Sequence, residues 1–164
     1  MARVSVLQLD TRFCRVPGDV GRADSYVNAP EIIRVPRASV ANVVSDQPNQ
    51  IDLDPFLQAI EQASGDIIVT SCGFLSPFQF ELQNVTDKPV IASVLNVLSD
   101  LKVPKGAKHS SVLTFDAERL VDAHFPHPYR AGDFRIVGLR PDNPLRQRLV
   151  RDVPARFAPS DLQH

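Results

Sequence analysis

The chain has 164 residues, of which 43% are hydrophobic and 23% charged, and its formal net charge is -1 at pH 7. This size suits one domain, or one domain with part of a second, and the composition is ordinary for a globular protein. The charge balance argues against nucleic acid or an anionic membrane as a partner. No apolar run approaches the roughly 18 residues that span a bilayer. The start lacks a signal-peptide pattern, so we expect a cytoplasmic location.

The first part of the chain alternates between strand-like and helix-like patterns. Val4 to Leu9 predicts a buried strand. Asp54 and Pro55 suit the cap and first turn of a helix, and Gly65 is placed to end it. Further strands are predicted over Ile32–Val35, Ser39–Val44, Asp66–Ser71 and Pro89–Ser93, and further helices from Ser76 and over Val94–Leu101.

The same order continues more weakly toward the C-terminus. Strands are predicted within Ser110–Phe115 and Phe134–Leu139, a short helix from Asp116 and a last helix from Asn143. Alternation of this kind predicts an α/β fold with a mostly parallel sheet flanked by helices. We expect an α/β lobe over residues 1–104, and a partial second lobe with a loose tail after Pro154 over residues 105–164.

Two strand ends carry the candidate site, because ligands of open α/β sheets collect at the carboxyl ends of strands. Asp10 closes the first strand, and Cys72 follows the strand after the capped helix. A thiol between a strand and a helix start is expected to have a lowered pKa. Gly73 would let a ligand approach the backbone. The alternative is an inert buried cysteine at a tight turn.

Other side chains near these ends extend the candidate site. Asp10 could accept a hydrogen bond from a ligand ammonium group, or it could simply form the turn after the strand. The hydroxyl groups of Thr70 and Ser71 could bind a carboxylate. Cys14 lies in the long loop after the first strand, and a cysteine there is more often incidental than catalytic.

Histidines and arginines of the C-terminal part are interpreted as surface residues. No acidic partner stands at a metal-ligand spacing from the histidines, so no metal site is predicted. Aspartates alternate with the arginines, which indicates a solvated helix face. The residues concerned are His109, His124 and His127, and Arg140, Arg146, Arg148 and Arg151.

Several segments together resemble the aspartate/glutamate racemase superfamily. The resemblance covers roughly residues 3 to 139, and the combination of segments is more specific than any one of them. The second lobe of the superfamily would begin in the last of these segments. They are Leu7–Phe13, Pro17–Gly21, Thr70–Leu75, Pro89–Ser93 and Ser111–Leu120.

The resemblance implies a cofactor-independent proton transfer at a carbon next to the carboxylate of a small substrate. Members typically have two lobes, each with a cysteine, one on either face of the substrate. Cys72 would be the first base and Asp10 the aspartate beside it. The resemblance and the motifs together give Thr11, Thr70, Ser71, Gly73 and Phe74 as substrate-binding residues. A lobe that normally packs against another would cover its apolar face by self-association, so we expect a homo-oligomer.

Two departures from the superfamily pattern leave alternatives open. Gly73 and Phe74 stand where many members have Asn-Thr, and no cysteine follows Cys72. The chemistry would then use another acid or a single base. Alternatively, the chain is a degenerate member that serves as a small-molecule binder or interaction module. A redox-sensing pair of Cys14 and Cys72 is a further alternative, and it requires Cα atoms within roughly 7 Å.

Overall fold

The computed structural model describes residues 2–102 and 110–154. Within these ranges six strands form two parallel sheets. The larger sheet has four strands in the order β2-β1-β3-β4, and the smaller sheet pairs β5 with β6. The strands are β1 (Val4–Leu9), β2 (Glu31–Val35), β3 (Ile67–Thr70), β4 (Val90–Ile91), β5 (Ser111–Leu113) and β6 (Arg135–Val137).

Short helices connect the strands, which confirms the predicted α/β class with a mostly parallel sheet. None of the helices in the described ranges has the length and apolar character needed to cross a membrane. The α-helices are α1 (Val40–Val43), α2 (Asp54–Gln62), α3 (Gln79–Gln83), α4 (Leu98–Leu101) and α5 (Pro144–Arg151). Single turns of 3₁₀ helix lie at Ala23–Ser25, Pro48–Gln50, Asp122–His124 and Ala131–Asp133, and longer ones at Gly73–Phe78 and Val94–Val97.

Strand β1 is the centre of the core. Val6 and Leu7 have no exposed surface, and residues Ser5 to Leu9 are all buried. Continuous burial is expected for a strand covered on both faces of a parallel sheet. Helix α2 contributes Phe56 and Ile60 to the same core, as its apolar spacing predicts.

The chain changes direction across the sheet at β1. It passes from β1 to β2 on one side and later returns to place β3 on the other. The carboxyl ends of β1 and β3 are therefore neighbours at the point where the strand order reverses. A crevice forms at such a point, because the following connections lead away to opposite sides.

A buried ion-pair cluster anchors α5 near the smaller sheet. The Asp116 carboxylate is 2% exposed, and its Oδ2 lies 2.9 Å from Arg146 Nη2 and 3.6 Å from Arg119 Nε. Arg119 also donates to the carbonyl of Val44 at the end of α1. Contrary to the prediction, no helix begins at Asp116. The predicted solvated position of Arg146 is also wrong, because only 14% of its side chain is exposed and it pairs with Asp116.

The C-terminal end of α5 reaches the loop that follows β1. Asp152 has a left-handed backbone with φ 51°. Its Oδ1 accepts hydrogen bonds from the backbone N–H groups of Arg12 and Phe13, the second at 3.2 Å. The loop after β1 leads toward the candidate site. It is therefore held in place by a helix that lies far along the chain.

Two further local predictions differ from the structure. Ser39–Val44 is not a strand, because the Ser39 hydroxyl accepts from the Asn42 N–H at 3.2 Å and starts α1. The helix expected from Ser76 begins earlier, as 3₁₀ turns at Gly73, and α3 follows. The proposed lobe boundary at residue 104 and the tail beyond Pro154 lie outside the described residues.

Gly65 is required by a close approach rather than by a helix end. A Cβ at this position would lie 2.6 Å from Ser5 Oγ and 2.7 Å from Ser5 N. The Gly65 N–H also donates to Ser5 Oγ at 2.8 Å. The tight contact fixes the segment leading into β3 against the start of β1.

We expect Gly65→Ala to lower the free energy of unfolding by about 1–3 kcal/mol, because the added methyl group overpacks a rigid backbone contact. Urea denaturation measures the difference. Gly132→Ala is the control, since a Cβ at Gly132 would meet nothing within 4 Å. Equal losses in the two variants would contradict the close-approach explanation.

Candidate functional site

A cavity of about 350 Å³ lies at the carboxyl ends of β1 and β3. Leu9 and Ser71 line it beside Cys72, which is the position expected from the reversal of strand order. Residues 112–115 of the smaller sheet and its following loop close another part of the wall. The cavity is thus lined by residues from the strand ends, from the loop after β1 and from the C-terminal part of the chain.

Cys72 is buried, with 6% of its surface exposed, and it lines a cavity whose other lining residues are mostly apolar. Burial raises the pKa of Cys72 to about 11, and the Phe74 backbone amide and the Arg15 charge act in the opposite direction without overcoming it. The predicted resting thiolate with a lowered pKa is therefore wrong. The 3₁₀ turns after Cys72 do not compensate for the loss of water around the sulfur.

Asp10 does not line the cavity. Its carboxylate points toward β2, where Oδ1 lies 3.7 Å from Arg34 Nη1 and Oδ2 accepts from the Arg37 N–H at 3.4 Å. The two residues predicted to be catalytic therefore follow neighbouring strands, yet the Asp10 carboxylate is turned away from the Cys72 cavity.

Two predicted substrate-binding residues support the site from outside its wall. The Thr70 hydroxyl donates to the Ala92 carbonyl at 2.6 Å and accepts from the Cys72 N–H at 3.3 Å. Thr11 is 2% exposed, and its hydroxyl accepts from Arg15 Nη2 at 3.2 Å. These hydroxyl groups position Cys72 and Arg15 instead of facing a ligand.

The other three predicted substrate-binding residues do line the cavity. The Ser71 hydroxyl accepts from the Leu9 N–H at 3.2 Å and so joins the two strand ends. Gly73 is exposed, and a Cβ there would lie 3.7 Å from Ser93 Oγ, an ordinary contact. Phe74 is 3% exposed and supplies apolar surface.

Arg15 and Asp19 are charged cavity residues that the sequence interpretation missed. Arg15 Nη1 donates to Asp19 Oδ1 at 2.8 Å, and the Arg15 side chain is 10% exposed. The pattern that could have identified them is an oppositely charged pair four residues apart, in a long loop that follows a central strand. Arg15 brings a positive charge to the cavity that contains the Cys72 thiol.

His124 is not a surface residue. It has no exposed surface, and its ring meets Phe74 edge-on with centroids 5.0 Å apart. Burial lowers the pKa of His124, so the neutral imidazole is favoured. Among the described residues, no group of His, Cys, Asp and Glu is arranged to hold a metal ion. His109 lies outside the described residues.

Cys14 is exposed and does not line the cavity, whereas Cys72 is buried within it. Alkylation should distinguish the two thiols. With a pKa of about 11, only about one Cys72 in a thousand is a thiolate at pH 8. Because the thiolate fraction grows as pH approaches that pKa, we expect its iodoacetamide rate to rise about tenfold per pH unit from 8 to 10.

The alkylation rate of Cys72 is measured in Cys14→Ser, and Cys72→Ser reports on the exposed thiol under the same conditions. An alkylation rate of Cys72 that reaches its plateau below pH 9 would show that burial does not raise the pKa of this thiol.

Part of the chain is similar to a curated protein. No family model matches the chain, and no solved structure matches it. A curated dimethylsulfoniopropionate lyase from Durusdinium sp. clade D is 31% identical over 109 residues, which are 64% of this chain and 36% of the lyase. The chain therefore spans little more than a third of the length of the curated relative that it matches.

Proposed function

We propose that this chain binds a small carboxylate in the Cys72 cavity, and that the Cys72 sulfur removes a proton from the carbon next to the carboxylate without a cofactor. The observation that carries the proposal is the arrangement of Cys72 and Arg15 in one cavity at the β1–β3 ends. A thiolate can act as the base there, while a nearby cation stabilises the negative charge that develops on the carboxylate.

Among the described residues that line the cavity, Cys72 supplies the only thiol. Racemisation needs a second group that returns a proton to the opposite face, and Cys14 is exposed elsewhere. An elimination needs one base only. Several reactions start with loss of this proton. We therefore propose that the chain catalyses β-elimination and not racemisation.

The partial match to a dimethylsulfoniopropionate lyase supports the same choice. In that elimination the base takes the proton next to the carboxylate, and the C–H electron pair forms the new carbon–carbon double bond. The bond from the next carbon to sulfur breaks, and its electrons leave with neutral dimethyl sulfide. Acrylate remains, and the leaving group requires no proton.

A second candidate is a small-molecule binder of the same fold that performs no chemistry. The pKa of about 11 favours it, because the Cys72 thiol is protonated at neutral pH. The elimination can still proceed through the small thiolate fraction, since a base with a higher pKa is intrinsically stronger. The two candidates therefore differ in turnover and not in binding.

Self-association remains a proposal. Leu113 on β5 and Val94 after β4 are 79% and 74% exposed, and both border the cavity. Exposed apolar side chains at the border of the cavity would be covered by a second copy of the chain.

The test uses proton NMR in heavy water to follow the reaction of the protein with a panel of amino acids, hydroxy acids and 3-(dimethylsulfonio)propionate. We expect exchange of the proton next to the carboxylate, or release of dimethyl sulfide and acrylate, in the wild type. Cys72→Ser should lower the rate by at least about a hundredfold, as expected for loss of a general base. Cys14→Ser is the matched control and should retain the rate.

The pH dependence provides an independent test. Because the Cys72 thiol must lose its proton first, kcat/KM should rise about tenfold per unit between pH 7 and 10 and level off near 11. Failure of the whole panel to react at pH 10, with binding still detected, would leave the binder as the function. Equal turnover by Cys72→Ser would remove the sulfur from the mechanism.

A further inference from the structure

The Arg15 guanidinium is held by three other side chains. Its Nη1 donates to Asp19 Oδ1 at 2.8 Å and its Nη2 to Thr11 Oγ1 at 3.2 Å. With the Gln8 carboxamide oxygen facing it, Nε donates to that oxygen at 2.9 Å. Only 10% of the side chain is exposed, so this is a positioned buried cation and not a mobile surface arginine.

The flat faces of the guanidinium are also restrained. Arg15 Cζ lies 5.1 Å from the centre of the Phe13 ring. A Cβ on Gly21 would lie 3.0 Å from Cζ, Nε and Nη1 of Arg15, so the absence of a side chain at Gly21 allows this packing. Together these contacts fix the plane of the group.

Part of the hydrogen-bonding capacity of Arg15 remains for a ligand. An arginine has five N–H donors, and the contacts above use one on each nitrogen. Within the described residues, the second N–H of Nη1 and of Nη2 has no protein acceptor. Because Arg15 lines the Cys72 cavity, a carboxylate there would receive charge-assisted hydrogen bonds of the kind that arginine makes best.

Asp19 gives the cavity an opposite charge. Its Oδ1 accepts from Arg15 Nη1 and from the Gly21 N–H at 2.7 Å, while Oδ2 has no donor among the described residues. The two charges cancel. A simple carboxylate would therefore leave an excess negative charge between apolar walls, whereas a zwitterion would keep the cavity neutral.

The apolar part of the wall favours a methylated cation over a primary ammonium group. Val40, Val44 and Leu95 are buried apolar residues that line the cavity. A primary ammonium has three N–H donors that each need an acceptor, but sulfonium and quaternary ammonium groups present methyl groups instead. Such a cation can pack against these residues while its charge faces Asp19.

We propose that Arg15 binds the carboxylate of the ligand and Asp19 faces its cationic end, so that the cavity selects a small sulfonium or quaternary ammonium carboxylate. This inference names the substrate class of the proposed function and rests on it. It assigns ligand recognition to two residues of the loop after β1, whereas Cys72 is the proposed base.

Three ligands of nearly equal shape separate the two charges. 3-(Dimethylsulfonio)propionate carries both charges, 4-methylpentanoate replaces the sulfonium with an uncharged CH, and 4-methylpentanamide has no charge. Their affinities for Cys72→Ser are measured by calorimetry, so that no turnover interferes. We expect loss of the sulfonium charge, from 3-(dimethylsulfonio)propionate to 4-methylpentanoate, to weaken binding by about tenfold.

Two conservative variants assign the effects to residues. Arg15→Lys keeps the charge but loses the planar fork, so both carboxylates should bind about tenfold more weakly and the amide should be unaffected. Asp19→Asn should abolish the advantage of the sulfonium ligand and leave 4-methylpentanoate binding at least as strong. If either residue had only a structural role, its variant would bind all three ligands more weakly to the same degree. Such a variant would also unfold at a lower temperature.

Equal affinity for all three ligands in the Cys72→Ser protein would overturn the inference. The outcome is separate from that of the proposed function. Turnover without charge discrimination contradicts the roles of Arg15 and Asp19 only, and charge discrimination without turnover contradicts the chemistry only.

Discussion

The parallel pairing of β1 between β2 and β3 is the constraint on which the candidate site depends. This register places the end of β1 beside the end of β3, and the Leu9 N–H donates to the Ser71 hydroxyl across the junction. The connections then leave in opposite directions. The resulting crevice is bounded by the thiol of one strand end and by the long loop that follows the other.

Two opposing electrostatic effects meet in that crevice. Removing Cys72 from water disfavours its charged form, and the nearby Arg15 charge favours it. Burial has the larger effect, so the thiol is neutral at physiological pH. Asp19 further reduces the influence of Arg15, because it neutralises part of the same field. The cavity therefore holds a neutral thiol beside an ion pair.

The sequence predicts the larger sheet well, because β1, β3 and the spacing of α2 follow from local apolar patterns. It also predicts the Asn143 cap of α5, whose oxygen accepts from two backbone N–H groups. It does not predict the burial of His124 and Asp116, since Phe74 and Arg146, which pack against them, lie far from them in the sequence.

The candidate site shows the same limit of sequence reasoning. The position of Cys72 at a strand end could be inferred, whereas its pKa depends on the walls contributed by the smaller sheet. The orientation of Asp10 depends on Arg34 and Arg37. The ion pair of Arg15 and Asp19 lies in a loop whose sequence has no helical or strand periodicity.

The bond between Asp152 and the start of the Arg15 loop has a consequence for the order of folding. Its partners are separated by 139 and 140 positions in the chain. Closing so long a loop costs more chain entropy than pairing β1 with β2 or β3, so we expect these contacts to form late in folding. We expect the sheet to assemble first from nearer partners, and the Cys72 cavity to be completed when the C-terminal helix docks.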